Sequence, residues 1–174
     1  MSILVAGSVG YDSVRTPFGR RYGVLGGSAT YFAVAASNLA PVSIISVVGE
    51  DFSAEDQDLL DVHQINTDGL TRAGGETFRW IGEYGEDLNE ANTIDTHLNV
   101  FADFKPKLDN RASEEPYLFL ANIDPELQLQ VLEQMKRRPM LVVGDTMNFW
   151  IEGKNRALFQ VIRALDTLII NRGE

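Results

Sequence analysis

The chain has no cysteine and only two histidines, His63 and His97. The first absence excludes disulfides, thiolate catalysis and Cys-ligated zinc. The second argues against a histidine-rich metal centre. No apolar run approaches the ~20 residues that a membrane-spanning helix needs. The start, Met1-Ser2-Ile3-Leu4-Val5-Ala6-Gly7, is too short for a secretion signal and lacks its basic region. Positive charge is scarce: 15 Lys and Arg stand against 25 Asp and Glu, for a net charge of −10. Nucleic-acid surfaces need clustered Lys and Arg to neutralise phosphates, so no nucleic-acid partner is expected. A small anion is a different matter, because a few backbone N–H groups and one or two Arg make a local site. The Walker A pattern is absent, and Gly7-x-x-Gly10 is too incomplete for a dinucleotide fingerprint. No membrane partner is expected either, and a cytoplasmic location fits the lack of cysteine.

The rest of the composition is that of a globular domain. At 174 residues, 44% hydrophobic and 23% charged, the chain fits one domain with a real core. Ile3 to Val9 reads as a buried strand. Ser28 to Ala40 reads as a small-residue helix stopped by Pro41, with Ser28 as its N-cap. Its apolar positions run nearly all the way round, which predicts a largely buried helix. Val42 to Val48 is rich in β-branched residues and reads as the next strand, and Ser53 to His63 as a polar helix.

The pattern then changes. Thr77 to Tyr84 alternates aromatic, charged and apolar residues, and Asn99 to Phe104 carries Val100, Phe101 and Phe104. With the polar stretch Gly85 to His97 between them, they predict a projecting antiparallel hairpin. Regular alternation resumes with a strand at Tyr117 to Ala121. A helix opened by Asp124-Pro125-Glu126 follows, its stripe made by Leu127, Val131 and Met135, with Lys136-Arg137-Arg138 at its end. Met140 to Val143 is a strand. Leu158, Val161, Ile162 and Leu165 mark a further helix, and Thr167 to Ile170 a last strand. This order predicts an α/β fold with a mostly parallel sheet flanked by helices. Leu168, Ile169 and Ile170 are expected on or near an exposed sheet edge.

Polar residues follow the strands: Asp12 after the first, Asn122 and Asp124 after the strand at 117–121, Asp145 and Asn148 after that at 140–143, and Asn171 and Glu174 after the last. In a parallel sheet they share one edge, the edge where ligands bind. Each alone also suits a turn or an N-cap. As a set they can meet sugar-type hydroxyls or hold waters around Mg²⁺. Gly26-Gly27, just before the helix at 28–40, permits close backbone approach or a hinge.

These pieces resemble a known family. Ala6-Gly7-Ser8-Val9-Gly10-Tyr11-Asp12, Gly26-Gly27-Ser28-Ala29-Thr30, Val47-Val48-Gly49-Glu50-Asp51-Phe52, Asp145-Thr146-Met147-Asn148 and Asn171-Arg172-Gly173-Glu174 together resemble the N-terminal portion of a PfkB-type (ribokinase-like) carbohydrate kinase. The resemblance covers essentially all of residues 1–174 and implies a small β lid, built from segments near 13–25 and 77–103. It implies ATP- and Mg²⁺-dependent phosphorylation of a sugar hydroxyl. A nucleoside kinase on the same scaffold and a non-catalytic sugar-binding fragment are the alternatives. It implies that Asp12 binds substrate hydroxyls, with Gly26 and Gly27 at the substrate and lid hinge and Asn122 and Asp145 orienting the acceptor. Asn171 and Glu174 would organise Mg²⁺ and phosphate without direct metal ligation. A homodimer through the lid is a further implication. Two departures stand out. Where many relatives carry a substrate-contacting Asn, this chain has Tyr31. The family's catalytic Gly-Ala-Gly-Asp type turn is expected beyond Glu174, so no catalytic base is assigned within these residues, and the 174 residues alone are expected to be inactive.

Overall fold

The computed structural model describes residues 2–88 and 91–174. In chain order the elements are β1 (Ile3–Ala6), β2 (Gly10–Thr16), β3 (Gly19–Gly26), α1 (Ser28–Ser37), β4 (Val42–Val48), α2 (Ala54–Val62), β5 (Asn66–Arg72), β6 (Phe78–Tyr84), β7 (Ala91–His97), β8 (Tyr117–Leu120), α3 (Pro125–Gln134), β9 (Leu141–Asp145), α4 (Asn148–Gly153), α5 (Asn155–Ala164) and β10 (Thr167–Ile169). Six strands form a parallel sheet in the order β10-β9-β8-β1-β4-β5. From β1 the chain builds outward through β4 and β5, then returns beside β1 and builds the other way through β8, β9 and β10. The gap between the ends of β1 and β8 is therefore a topological switch point.

Strand alternation sets the two faces of this sheet. Leu4, Ala6, Leu118, Leu120 and Val142 pack on one side with Val131 of α3 and Val161 of α5. Val5, Ile44, Val48 and Phe119 pack on the other with Ala29 and Ala33 of α1 and Leu60 of α2. Phe32 of α1 stacks on Phe119, with ring centroids 3.8 Å apart. Small side chains at Ala29 and Ala33 let α1 lie close to the sheet. The opposite side of α1 is open, with Tyr31 exposed, so α1 is one-sided rather than largely buried. Leu168, Ile169 and Ile170 lie exposed at the β10 edge, as their sequence implies.

Helix starts follow local chemistry. The Ser53 hydroxyl caps α2 by accepting from the Asp56 N–H at 3.0 Å, and Asp124 caps α3 by accepting from Glu126 N–H at 2.9 Å. α1 differs from the sequence expectation. Its N-cap is Gly27, not Ser28, because the Ser28 hydroxyl is engaged elsewhere. The basic run also falls outside α3, where Lys136 pairs with Glu114 and Arg138 with Asp166.

A second sheet stands apart, in the order β3-β2-β6-β7. β2 and β6 run parallel at its centre, and each has an antiparallel outer partner. The hairpin from Thr77 has a different return strand from the one expected. It is Ala91–His97, whereas Asn99–Asp103 forms a 3₁₀ turn that buries Phe101. Phe101 and Phe104 pack in the main core, which takes their segment out of the second sheet. β5 and α4 were not anticipated, since Asn66–Arg72 is mixed in polarity and α4 is only 6 residues long.

The second sheet is tied to the first at the start of β6. Asp51, in the turn after β4, accepts from Thr77 through N–H at 2.7 Å and hydroxyl at 2.6 Å. Its other oxygen meets Arg79 at 2.6 Å. Burial pushes the Asp51 carboxyl up, but Thr77 and Arg79 outweigh it and hold the group below the usual aspartate range. Thr77 Oγ1 also accepts from Gly49 N–H at 2.9 Å, and the Arg79 guanidinium lies 5.2 Å from the Tyr11 ring centre. The Tyr11 hydroxyl donates to Asp56 at 2.6 Å. Thr77 is fully buried, so its hydroxyl has no solvent alternative. Thr77→Val leaves Gly49 N–H without its partner and takes from Asp51 Oδ1 one of its two Thr77 donors. It is expected to cost on the order of 1–3 kcal/mol, read as a lower urea midpoint with an unchanged slope.

Candidate functional site

The site candidates fall into two clusters joined at the switch point. In the first, Asp12 lies on β2 and is only 8% exposed. Gly26 closes β3 directly against it, and a Cβ there would collide with the Asp12 carboxylate. Gly27 follows with φ 95°, where a Cβ would run into the Ser8 carbonyl. The glycine pair thus lets β3 turn into α1 hard against the carboxylate. Burial raises the Asp12 carboxyl, and hydrogen bonds from the Gly27 backbone and the Tyr31 side chain offset part of that rise. Tyr31 Oη donates to Asp12 Oδ2 at 3.3 Å.

The second cluster lines the carboxyl edge of the main sheet. Asn122 follows β8, Asp145 ends β9, and Asn171 and Glu174 follow β10. The Asn122 side-chain oxygen accepts from Trp150 Nε1 at 2.9 Å, which leaves the amide NH₂ as its free donor. Asp145 is pushed up to about 6 by burial and then by the negative charge of Glu174, against backbone hydrogen bonds from Thr146 and Asn122. Residues 171–174 close on themselves. Asn171 Oδ1 accepts from Gly173 N–H at 2.7 Å and Glu174 N–H at 3.1 Å, and Glu174 accepts from Asn171 N–H at 2.9 Å.

A serine pair links the clusters. Ser28 N–H donates to Ser8 Oγ at 3.0 Å, Ala29 N–H to the Ser8 carbonyl at 3.0 Å, and Ser28 Oγ to the Asn122 carbonyl at 3.0 Å. The ends of β1 and β8 and the start of α1 are thereby fixed to one another.

Several residues in this arrangement escape a reading by strand ends alone. Gln128 of α3 is buried, and its amide NH₂ reaches the carbonyls of Leu120, Ala121 and Asp145 at 3.0–3.2 Å. It ties the ends of β8 and β9 together. Its signal was a polar residue one helical turn before Val131 on the buried side of α3. Trp150 and Tyr84 carried weaker signals. Tyr84 belongs to the run Trp80-x-Gly82-x-Tyr84, whose period of 2 places all three on one strand face. Three buried side-chain oxygens lack a hydrogen-bond partner among the described residues: Thr30 Oγ1, Gln128 Oε1 and Thr146 Oγ1. They belong to the first turn of α1, to α3 beneath the strand ends and to the residue after Asp145, so they collect at this edge.

Arg15 and Arg79 are engaged elsewhere. Arg15 lies 3.4 Å from Glu83, and Arg79 is held by Asp51. Among the described residues no helix is long and apolar enough to cross a membrane, and no group of three or more His, Cys, Asp or Glu converges on a metal position.

No protein-family model matches the sequence, and no curated protein matches it. Solved structures do match. Ribokinase from Cryptococcus neoformans var. grubii serotype A, in complex with ADP, superposes with a TM-score of 0.78 at 19% identity, over 99% of this chain and 57% of its own. The Methanocaldococcus jannaschii nucleoside kinase, an archaeal member of the ribokinase family, gives 0.71 at 19% identity, over 96% and 59%. Burkholderia thailandensis nucleoside kinase, in complex with inosine, gives 0.68 at 13% identity, over 95% and 59%. The fold is ribokinase-like, and the chain spans 57–59% of the length of these neighbours.

Asp145 provides a pH test. A raised carboxyl means that the folded chain keeps a proton the unfolded chain has lost. Stability therefore falls as pH climbs from the ordinary aspartate range, about 4, towards 6, and levels off above. Asp145→Asn is neutral throughout. It is expected to be more stable than the parent at pH 7.5 by on the order of 1–3 kcal/mol, with the gap closing near pH 4. Thermal melts at both pH values check this; an equal offset at both would refute it.

Proposed function

We propose that this chain belongs to the PfkB (ribokinase-like) kinases and forms the acceptor side and lid of an ATP-dependent enzyme that phosphorylates a sugar-type hydroxyl. The observation that carries the proposal is Asp12. It is a carboxylate only 8% exposed, set where the second sheet joins the switch point and enclosed by the Gly26-Gly27 turn. A buried carboxylate at the carboxyl edge of a parallel sheet accepts hydrogen bonds from ligand hydroxyls and fixes their position. Its chemical neighbour agrees, since Asn122 offers a free NH₂ at the same edge.

In this reading β2, β3, β6 and β7 are the lid, and Gly26-Gly27 the hinge through which it meets α1. Closure of such a lid excludes water, which competes with the acceptor for the phosphoryl group. A homodimer through the lid belongs to the same proposal, with exposed Phe18 and Tyr22 supplying apolar surface along the β3 edge.

Asn171 and Glu174 organise Mg²⁺ and phosphate through waters that the ion keeps. Burial first, and then the Glu174 charge, raises the Asp145 carboxyl, and a cation at this edge would relieve that repulsion. When bound, Mg²⁺ supplies neutralisation of phosphate charge. Asn171 holds the turn that presents Glu174. Asp12, Asn122 and Asp145 orient the acceptor, and Gly27 and Tyr31 hold the Asp12 carboxylate in place. ATP is the phosphoryl donor in this reading, supported by the ADP complex of the Cryptococcus ribokinase.

The test is acceptor-dependent ADP release by the gene product that contains these residues, across sugars and nucleosides. Asp12→Asn removes the charge but keeps the shape. It is expected to lower kcat/KM by roughly 10–100-fold with no fall in melting temperature, the loss of a charge-assisted hydrogen bond. No ADP release with any hydroxyl acceptor would sink the proposal.

A further inference from the structure

The lid face that carries Asp12 has an unusual make-up. Asp12 pairs in register with Trp80 on β6 and with Val24 on β3, so these side chains share one face of the second sheet. Trp80 and Tyr84 are four residues apart on β6, and Gly82 lies between them on the same face. The Trp80 ring lies flat across Gly82, where any Cβ would strike the indole. Its edge meets Tyr84 at a centroid distance of 6.2 Å. Trp80 Nε1 is already used, donating to Thr93 Oγ1 at 3.1 Å. The indole therefore offers its apolar face and no spare donor.

Tyr31 faces this wall from the first turn of α1. It is 59% exposed, yet its hydroxyl is held by Asp12. Burial raises the phenols of Tyr31 and Tyr84, and the Asp12 charge raises both further, which places all three groups in one neighbourhood. Asp12 is thus a single strong acceptor set among three aromatic side chains.

A free sugar uses little of such a wall. It can lay a C–H face on one ring, but hydroxyls turned to Val24 and to the rest of the apolar surface would lose water without gaining a partner. A compound with hydroxyls at one end and a flat ring at the other fits well. The hydroxyls reach Asp12, and the ring lies on the aromatic side chains, where stacking tolerates many ring types. We propose that the acceptor is a nucleoside rather than a free sugar, and that Tyr31, with Trp80, determines this preference. The inference rests on the kinase reading and names the acceptor class of that same site.

The experiment is calorimetric titration of the full chain with adenosine, inosine and D-ribose, on the parent and on Tyr31→Asn, Tyr31→Phe and Trp80→Leu. Near-ultraviolet circular dichroism and melting temperature check that each variant is folded. The parent is expected to bind at least one nucleoside ~10-fold or more tightly than ribose. Tyr31→Asn and Trp80→Leu are expected to reduce that ratio by ~10-fold each, with Tyr31→Phe, which keeps the ring, retaining most of it. Equal binding of ribose and nucleosides, or a ratio indifferent to Tyr31→Asn and Trp80→Leu, overturns the nucleoside inference and leaves the kinase reading intact. Loss of folding in Trp80→Leu would pass the decision to the two Tyr31 variants, whose side chain is exposed. Failure of every sugar and nucleoside to bind, together with no acceptor-dependent ADP release, overturns both.

Discussion

Two sheets of different construction meet at one short stretch of backbone, and the molecule depends on how closely that stretch can approach its neighbours. β3 must end beside Asp12 and turn at once into α1, over the Ser8 carbonyl. Only residues without a Cβ fit at Gly26 and Gly27, and only glycine readily adopts the φ of 95° at the second. Everything polar at the switch point is then within reach. Ser28 bridges to Ser8 and to the Asn122 carbonyl, and Gly27 and Tyr31 support the Asp12 carboxylate. The join is made of short hydrogen bonds between groups that the turn itself brings together.

The second sheet is held at another point by different means. Asp51 gathers the Thr77 amide, the Thr77 hydroxyl and Arg79 around one carboxylate, and Tyr11 spans from β2 to Asp56 at the start of α2. This attachment is polar and largely local to the start of β6. The second sheet is thus anchored at its base by a charge network and joined through a glycine pair, while the body beneath is fixed by apolar packing on both faces of its sheet.

The carboxyl edge joins opposing demands. Burial raises both the Asp12 and the Asp145 carboxyls, and each accepts two hydrogen bonds that offset part of the rise, but only Asp145 also faces the charge of Glu174. The two carboxylates therefore differ in their surroundings: hydrogen-bond donors at Asp12, donors and a second carboxylate at Asp145. Gln128 keeps the ends of β8 and β9 in step, so the spacing between these positions is a property of the buried framework.

The parallel sheet was legible in the sequence because Val42–Val48 and Tyr117–Leu120 are apolar and bounded by turn residues, and because α2 and α3 carry their own caps in Ser53 and Asp124. These are local signals, set by propensity and by hydrogen bonds between near neighbours. The second sheet was only partly legible. β7, Ala91–His97, has no apolar run and is a strand because β6 offers it a ladder, while Phe101 and Phe104 were drawn into the main core instead. β5 is a strand for the same reason, at the edge beside β4. Among the site residues, the sequence by itself determined that Asn122, Asp145, Asn171 and Glu174 follow strands of a parallel sheet and so share an edge, whereas Asp12 and Gly26 lie in β2 and β3 of the second sheet and Gly27 in the turn from it into α1. Tertiary structure alone decided that Tyr31 would bind Asp12, that Trp80 would lie over Gly82 and that Gln128 would bridge two strand ends. Those contacts join residues distant in the chain, or depend on which face a strand presents, and no local pattern fixes either.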